Sequence, residues 1–189
     1  MTDRESAFVK YLGSLVTQGN RQALAELRRG LSGEPGQLLR VYRYVGRFLA
    51  EGETGWNEQR LLLVASLFAL YHQGSEAISE PTQLGFGTSF RRLYEATERR
   101  PSVERRFLSL IGCHPDTLPD HLRHAITLMR SEAVAVDFAQ PLSDLSYWSH
   151  QEQWVQRRWA RQFFRSEDRA TPEQQVTSQP DEIPEEIEL

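Results

Sequence analysis

Apolar residues recur every three to four positions along nearly the whole chain, and no segment of four or more alternating residues suggests a strand. Spacing of this kind places side chains on one face of an α-helix, whereas a half-buried strand needs alternation of apolar and polar residues. The segment 61–71 is apolar at every position except Ser66, which predicts a helix that is buried on most sides. The sequence therefore predicts an all-α fold, a compact helical bundle of about eight to nine helices.

Capping and turn residues divide the periodic segments from one another. Asn20 is a suitable N-cap for a helix that stops near Gly33, and Pro101 is a suitable first residue of another helix. We predict helices near residues 8–16, 21–32, 38–49, 61–71, 88–97, 101–112 and 118–130, with one or two more between 137 and 165.

Composition separates a helical body from a tail. A loop rich in Gly, Ser and Pro over about 74–87 favours division of the domain 1–165 into sub-bundles of about 1–73 and 86–165. Residues 166–189 contain three prolines, many acids and no aromatic residue. Such a segment buries too little apolar area to offset its ordering entropy, so we predict an acidic, disordered tail.

Several classes of protein are disfavoured by the composition. No apolar run is long enough to cross a bilayer, and the N-terminus lacks the basic-then-apolar order of a secretory signal. Cys113 is the only cysteine, so no internal disulfide can form. We therefore expect a cytoplasmic protein with no membrane partner.

The net charge of −4 averages two different regions. The tail holds eight acids and one base, which leaves 21 bases and 18 acids in residues 1–165. Lys10 is the only lysine among the 22 basic residues of the chain. Arginine presents a planar fork of donors that matches phosphate. A GC-rich genome would produce the same excess of arginine. The positions of the arginines therefore have to distinguish a phosphate-binding surface from an effect of genome composition.

Arginines form rows on three of the predicted helices, opposite the apolar face of each helix. The rows are Arg40, Arg43 and Arg47; Arg123 and Arg130; and Arg157, Arg161 and Arg165. A merely solvated helix surface more often alternates its charges at i,i+4. The rows therefore favour a surface that follows a nucleic-acid backbone.

The run from Gly85 to Arg92 is a further candidate for backbone contact. Its two glycines would let the main chain approach a ligand closely, and a helix start with Arg91 and Arg92 would suit a phosphate. The run is not a nucleotide P-loop, because the Gly-Lys-Ser/Thr ending is missing.

Catalytic and metal-binding patterns are not evident. Cys113, His114, His121 and His124 are close in sequence, but their spacing matches no familiar zinc pattern. We interpret them as helix-surface histidines and a buried thiol. No nucleophile elbow or paired-carboxylate arrangement stands out, so we expect no metal, no cofactor and no enzymatic activity.

Six sequence blocks occur in an order that is characteristic of a known family. They are ALAELRRGL (23–31), LLLVASLFAL (61–70), GTSFRRL (87–93), VERRFLSLI (103–111), LPDHLRHAITLMRS (118–131) and VQRRWARQFF (155–164). Together they resemble the small subunit of the type I-E CRISPR surveillance complex, the CasB family. The resemblance covers about residues 6–165, and the acidic tail lies outside it.

The resemblance implies an all-helical, non-catalytic subunit. Two copies pack head to tail in the family's complex, where they stabilise the loop that forms when guide RNA pairs with target DNA. The implied partners are other subunits of the complex, a second copy of the chain, guide RNA, and the backbone of target and non-target DNA. The rows and the resemblance together give the candidate nucleic-acid-binding residues Arg28, Arg29, Arg40, Arg43, Arg47, Arg91, Arg92, Arg123, Arg130, Arg157, Arg158 and Arg161.

Not every arginine can face DNA, and Arg105 and Arg106 are alternatively expected to pair with acids such as Glu104 or to touch a neighbouring subunit. Two other functional classes stay open. A helical adaptor would use the arginine rows for acidic protein partners. A helix-turn-helix regulator would need a short turn before its recognition helix, but the loop before the helix after Gly87 is too long.

Overall fold

The computed structural model describes residues 2–74 and 84–165 of the 189-residue chain. These residues form nine α-helices and no strand, which confirms the predicted all-α fold. The helices are α1 (Asp3–Thr17), α2 (Arg21–Arg29), α3 (Pro35–Val45), α4 (Trp56–Tyr71), α5 (Phe86–Ala96), α6 (Pro101–Ile111), α7 (Leu118–Ser131), α8 (Ala139–Leu145) and α9 (Trp154–Phe164).

The predicted helix starts follow local capping chemistry. The Asn20 side chain accepts a hydrogen bond from the Ala23 N–H at 3.1 Å, which confirms Asn20 as the N-cap of α2. Pro101 begins α6, where its missing N–H has no helical partner to lose. α1 begins with a capping box, in which Thr2 and Glu5 each bond the other's backbone N–H.

α4 is the central helix of the bundle. It contacts α2, α3, α7 and α8. The apolar run 61–71 lies on this helix and is buried over most of its length, as its composition predicts. One continuous cluster of buried side chains takes members from all nine helices. The proposed division into sub-bundles at 1–73 and 86–165 stays a prediction.

A buried ion pair joins three helices that are distant in sequence. Arg60 of α4 donates to a Glu5 carboxylate oxygen of α1 at 2.8 Å and to the Leu142 carbonyl of α8 at 2.9 Å. Arg60 and Glu5 are each 5% exposed. Because a buried charge is tolerated only when it is paired and hydrogen-bonded, this contact fixes α1 and α8 against α4.

The helix predicted over 38–49 is shorter than expected. α3 ends at Val45, and a 3₁₀ turn follows over Gly46–Phe48. The apolar spacing predicts Leu38 on the buried face, but this residue is 37% exposed. The early end moves Arg47 off the helix and out of the register that it was predicted to share with Arg40.

The glycines of the run 85–92 serve helix packing. A Cβ added at Gly87 would collide with the Trp159 carbonyl oxygen, so α5 and α9 approach more closely than a larger residue would allow. The Gly87 N–H donates to the Gln162 side chain at 3.2 Å. α9 therefore fills the space that the sequence assigned to a ligand. Arg91 and Arg92 lie in the second turn of α5, not at the helix start.

The remaining predictions fall partly outside the described residues. The segment between 137 and 165 forms two helices, α8 and α9, within the one or two that the sequence predicted there. Most of the loop 74–87 and all of the tail 166–189 lie outside the part of the chain that the structure describes. None of the described helices is long and apolar enough to cross a membrane.

Candidate nucleic-acid interface

The candidate arginines differ in exposure. Nine of the twelve predicted residues are exposed: Arg29, Arg40, Arg43, Arg47, Arg92, Arg123, Arg130, Arg157 and Arg161. Arg28, Arg91 and Arg158 are half-buried. A half-buried guanidinium has neighbours that restrict it, so the surroundings of each arginine determine what it can bind.

Two candidate arginines from different helices meet at one cleft, which we call the arginine cleft. Its volume is about 600 Å³, and it lies between the end of α1, α2 and the residues after α4. Arg21 and Arg28 of α2 line it together with Gln73 and Gly74. Arg130 of α7 reaches its edge, because its guanidinium donates to the Gln73 carbonyl oxygen at 3.1 Å. Three guanidinium groups therefore surround one concave surface.

Arg21 was missed by the sequence interpretation. It is the first residue of α2, directly after the Asn20 cap. A cation at a helix N-terminus opposes the helix dipole, so this position is electrostatically unfavourable for an arginine. The unfavourable position of Arg21 at a helix start was the sequence feature that could have added it to the candidate residues.

Arg123 extends the arginine cleft along α7. It precedes Arg130 by seven residues, or nearly two full turns, so both side chains lie on one exposed face. Thr127 lies between them, and its hydroxyl bonds the Arg123 carbonyl at 2.8 Å. The face presents two cations and a small polar residue, and the exposed Asp120 lies one turn before Arg123 on the same helix.

The α3 row is less uniform than its spacing suggested. Glu26 of α2 lies within electrostatic reach of Arg43 and Arg40 and accepts a hydrogen bond from the Tyr44 hydroxyl at 2.7 Å. That bond holds the pKa of Glu26 below its usual range, and the two arginines contribute further. Burial, followed by the bond to Glu26, raises the pKa of Tyr44 to about 12. The row therefore has an acid beside it.

Arg47 stacks on an aromatic ring. Its guanidinium carbon lies 3.7 Å from the centroid of the Tyr11 ring on α1. Cation–π stacking of this kind orients the guanidinium and occupies one of its faces. The edge of the Arg47 fork is still exposed to solvent.

The α5 arginines differ from each other. Arg91 forms an ion pair with Glu95 at 2.6 Å, one turn further along the same helix. Arg92 is exposed. Arg91 is therefore engaged by an acid of its own helix, whereas Arg92 is open to solvent.

The α9 arginines divide between surface and interior. Arg157 and Arg161 are exposed and lie four residues apart, on one face. Arg158 pairs with Asp144 of α8, which is 1% exposed and also accepts hydrogen bonds from Trp159 at 2.6 Å and Gln140 at 2.8 Å. Arg158 neutralises a buried carboxylate and holds α8 against α9, so only part of its fork is open to a ligand.

The cysteine–histidine group does not gather into a metal site. Within residues 2–74 and 84–165, no three His, Cys, Asp or Glu side chains are placed to hold a metal ion. Burial raises the pKa of the Cys113 thiol. Cys113 is half-buried, not fully buried as the sequence interpretation had it.

Comparison with known proteins identifies the family. The family model described as CRISPR-associated protein Cse2 matches residues 23–164. The CRISPR-associated protein Cse2 of Thermus thermophilus is 36% identical over 143 residues, which cover 75% of this chain and 78% of that protein. The matched range begins inside α2, so α1 lies outside it.

Solved structures share the fold. The crystal structure of CasB from Thermus thermophilus is 33% identical and superposes with a TM-score of 0.69, covering 87% of this chain and 99% of that one. M. ruber CasB is 31% identical, with a TM-score of 0.68 and coverage of 87% and 94%. A chain of a CRISPR RNA-guided surveillance complex in a pre-nicking state is 24% identical, with a TM-score of 0.72 and coverage of 85% and 91%.

The family match spans most of the chain, and the Cse2 protein and the two CasB structures all exceed 30% identity. The chain belongs to the Cse2 family of CRISPR-associated proteins, whose solved members are also called CasB.

Proposed function

We propose that this chain is a non-catalytic subunit of a CRISPR RNA-guided DNA surveillance complex. In this role its arginine surface stabilises the R-loop by holding the displaced non-target strand and the backbone of the guide–target hybrid. The observation that carries the proposal is the convergence of Arg21, Arg28 and Arg130 on one cleft, with Arg123 continuing from it. A chain of the same fold belongs to a structure described as a CRISPR RNA-guided surveillance complex.

The physical requirement for this role is modest. The guide RNA reads the sequence, so the subunit needs positive charge along a groove and no readout of base edges. Exchange of a DNA duplex for an RNA–DNA hybrid is nearly balanced in free energy, and a few backbone contacts are enough to shift it. The proposal includes a cytoplasmic location, contacts with other subunits of the complex and a second copy of the chain.

The test is strand binding by the full-length chain over a salt series. Single-stranded DNA of unrelated sequences should bind with similar affinity and a steep dependence on salt. The double variant Arg28→Gln/Arg130→Gln should flatten the log–log salt slope by about 1.4, because each lost contact with a single strand removes about 0.7. The same variant should shorten the lifetime of the R-loop in the assembled complex.

A matched control removes two charges elsewhere. Arg99 and Arg100 are exposed and lie outside the candidate set. Arg99→Gln/Arg100→Gln should leave the slope unchanged. Equal effects of the two double variants, or no binding by the wild-type chain at low salt, would contradict the strand-holding role of the arginine cleft.

A helical adaptor for acidic protein partners is the second candidate, and one observation favours it. Leu39 on α3 is 69% exposed directly beside Arg40. An apolar side chain next to a cation suits a protein neighbour better than a phosphate backbone. If the adaptor function is correct, Leu39→Ser/Arg40→Gln should abolish binding to one acidic protein partner, while strand binding stays weak in every variant.

A further inference from the structure

A second cleft lies before the start of α7, at the other end of that helix from Arg130. Residues 111–115, at the end of α6 and just after it, line one side, and residues of the stretch 148–156, from just after α8 into the first turn of α9, line the other. Its volume of about 490 Å³ falls within the range of about 300–1,000 Å³ that small-molecule sites occupy. Among the described residues that line it there is no Arg, Lys, Asp or Glu. The cleft is therefore not another phosphate site.

Two buried polar atoms belong to residues that line this cleft and have no partner among the described residues. They are the indole Nε1 of Trp148 and the amide Oε1 of Gln156. Trp148 is 2% exposed and Gln156 is 8% exposed. A buried donor or acceptor without a partner is rare in native proteins, because its desolvation is not compensated. A ligand seated in the cleft that bonded to both atoms would compensate their desolvation.

The orientation of the Gln156 amide is fixed by its neighbour. Its Nε2 donates to the Trp148 carbonyl oxygen at 2.7 Å. Because a carbonyl oxygen only accepts, the amide nitrogen has to lie on that side, and Oε1 is the group without a partner. The Trp148 ring packs against the Trp159 ring, with centroids 5.2 Å apart. The Nε1–H on the edge of this ring is buried and has no acceptor among the described residues.

The rim of the cleft carries two histidine rings, one from each side, and each ring accepts a backbone hydrogen bond. The His114 Nδ1 accepts from the Asp116 backbone N–H at 3.3 Å, and the His150 Nδ1 accepts from the Glu152 backbone N–H at 3.3 Å. Both rings are exposed. Histidine rings are among the side chains on which unstacked bases stack.

We propose that this cleft binds a single unstacked nucleobase, whose acceptor takes the Trp148 N–H and whose donor bonds to the Gln156 oxygen. The proposal rests on the proposed function, which brings a strand to this protein. The Watson–Crick edge of every base carries a donor beside an acceptor. A trans peptide group holds its N–H and C=O on opposite sides, so the backbone of a protein partner fits this pair less well.

The test separates base binding from backbone binding by using nucleosides, which carry no phosphate. The full-length chain with labelled indole nitrogens gives one resonance for each of its four tryptophans. The Trp148 resonance is identified by its loss in Trp148→Phe. At high salt, where arginine–phosphate contacts are screened, adenosine, cytidine, guanosine and uridine are added in turn. At least one should shift the Trp148 resonance downfield to saturation while the Trp56 resonance stays in place.

Variants of the wall and the rim sharpen the assignment. Gln156→Met removes the acceptor at similar size and should weaken nucleoside binding about fivefold or more. Gln151→Met, at an exposed rim position, is the matched control and should change the affinity less than about twofold. If Gln156→Met does not fold, His114→Ala/His150→Ala alters only exposed rings and should weaken binding about fivefold, because base–aromatic stacking is lost.

The outcomes distinguish this site from the proposed function. Absence of a Trp148 shift with every nucleoside overturns the nucleobase site, and salt-dependent strand binding would then still support the arginine cleft. A shift with propionamide alone, which mimics an Asn or Gln side chain, overturns the nucleobase in favour of a protein partner. Nucleoside binding by a chain that binds no strand would support this site and contradict the proposed function.

Discussion

The arginine cleft and the α8–α9 contact place the same amino acid in opposite surroundings. In the cleft, Arg28 and Arg130 come from different helices and meet beside backbone groups and amides. At the α8–α9 contact, Arg158 is bound to the carboxylate of Asp144, which solvent hardly reaches. The buried acid makes the difference, because it requires a cation for its own stability. Spacing along a helix does not distinguish an arginine that serves the interior from one that is open to a ligand.

The largest expected effect tests the interior side of this comparison. Asp144→Ala leaves Arg158, Trp159 and Gln140 without their shared acceptor, and we expect a loss of about 3–5 kcal/mol in the free energy of unfolding. Urea unfolding followed by circular dichroism measures this loss. Glu51→Ala, at an exposed turn, is the control and should change stability by less than about 0.5 kcal/mol. Similar values for the two variants would contradict the structural role of Asp144.

The next effect tests whether the glycine run serves packing. Gly87→Ala places a methyl group against the Trp159 carbonyl and should cost about 1–3 kcal/mol in stability by forcing α5 from α9. Gly46→Ala is the control, since beyond the adjoining residues of its own turn no atom of the described residues lies within 4 Å of its added methyl group. We expect the control to be neutral or slightly stabilising by the same urea unfolding. A stable Gly87→Ala with lost strand binding would instead support the ligand-approach interpretation.

The surface side of the comparison predicts the reverse pattern. Arg130→Gln should change the free energy of unfolding by less than about 0.5 kcal/mol, because its only described bonds are to an exposed glutamine. It should nevertheless flatten the salt slope of single-strand binding by about 0.7. Arg158→Gln should destabilise the fold clearly. Equal stability losses at the two positions would remove the distinction between surface and interior arginines.

The smallest effect is a pH dependence of the α1–α4–α8 contact. Burial alone raises the pKa of Glu5, but the Thr2 backbone N–H and the Arg60 guanidinium together hold that pKa below its ordinary value of 4.5. A carboxylate with a lowered pKa in the folded state stabilises the protein above pH 4.5, and this contribution is lost as the pH falls below that value. Urea midpoints between about pH 7 and pH 3 measure the loss. Glu5→Gln should reduce this loss, and an unchanged profile would contradict the assignment.

Local features of the sequence predicted most of the fold. The 3.6-residue periodicity indicated the helices, Asn20 and Pro101 indicated two of their starts, and the run 61–71 indicated the central helix. The errors arose where tertiary contacts override periodicity. Leu38 has apolar spacing but lies beyond the part of α3 that the core covers. The glycines at 85 and 87 fit either close approach of a ligand or close packing of helices. The position of α9 against them shows that they serve packing.

The candidate site was less predictable. Rows on single helices correctly placed Arg123 with Arg130, and Arg157 with Arg161, on shared exposed faces, because helical geometry fixes which residues share a face. The arginine cleft depends instead on how α1, α2 and α7 meet near Gln73, and no single helix carries that information.

The sequence by itself determined the helical class, the family and the excess of arginine over lysine, since these depend on residue identity and short-range spacing. Tertiary structure alone decided that Arg158 is bound to a buried acid and that Arg21 joins Arg28 and Arg130. The physical reason is that burial and charge pairing depend on which helices pack together. A buried carboxylate is costly without a cation, and its location is known only once the chain has folded.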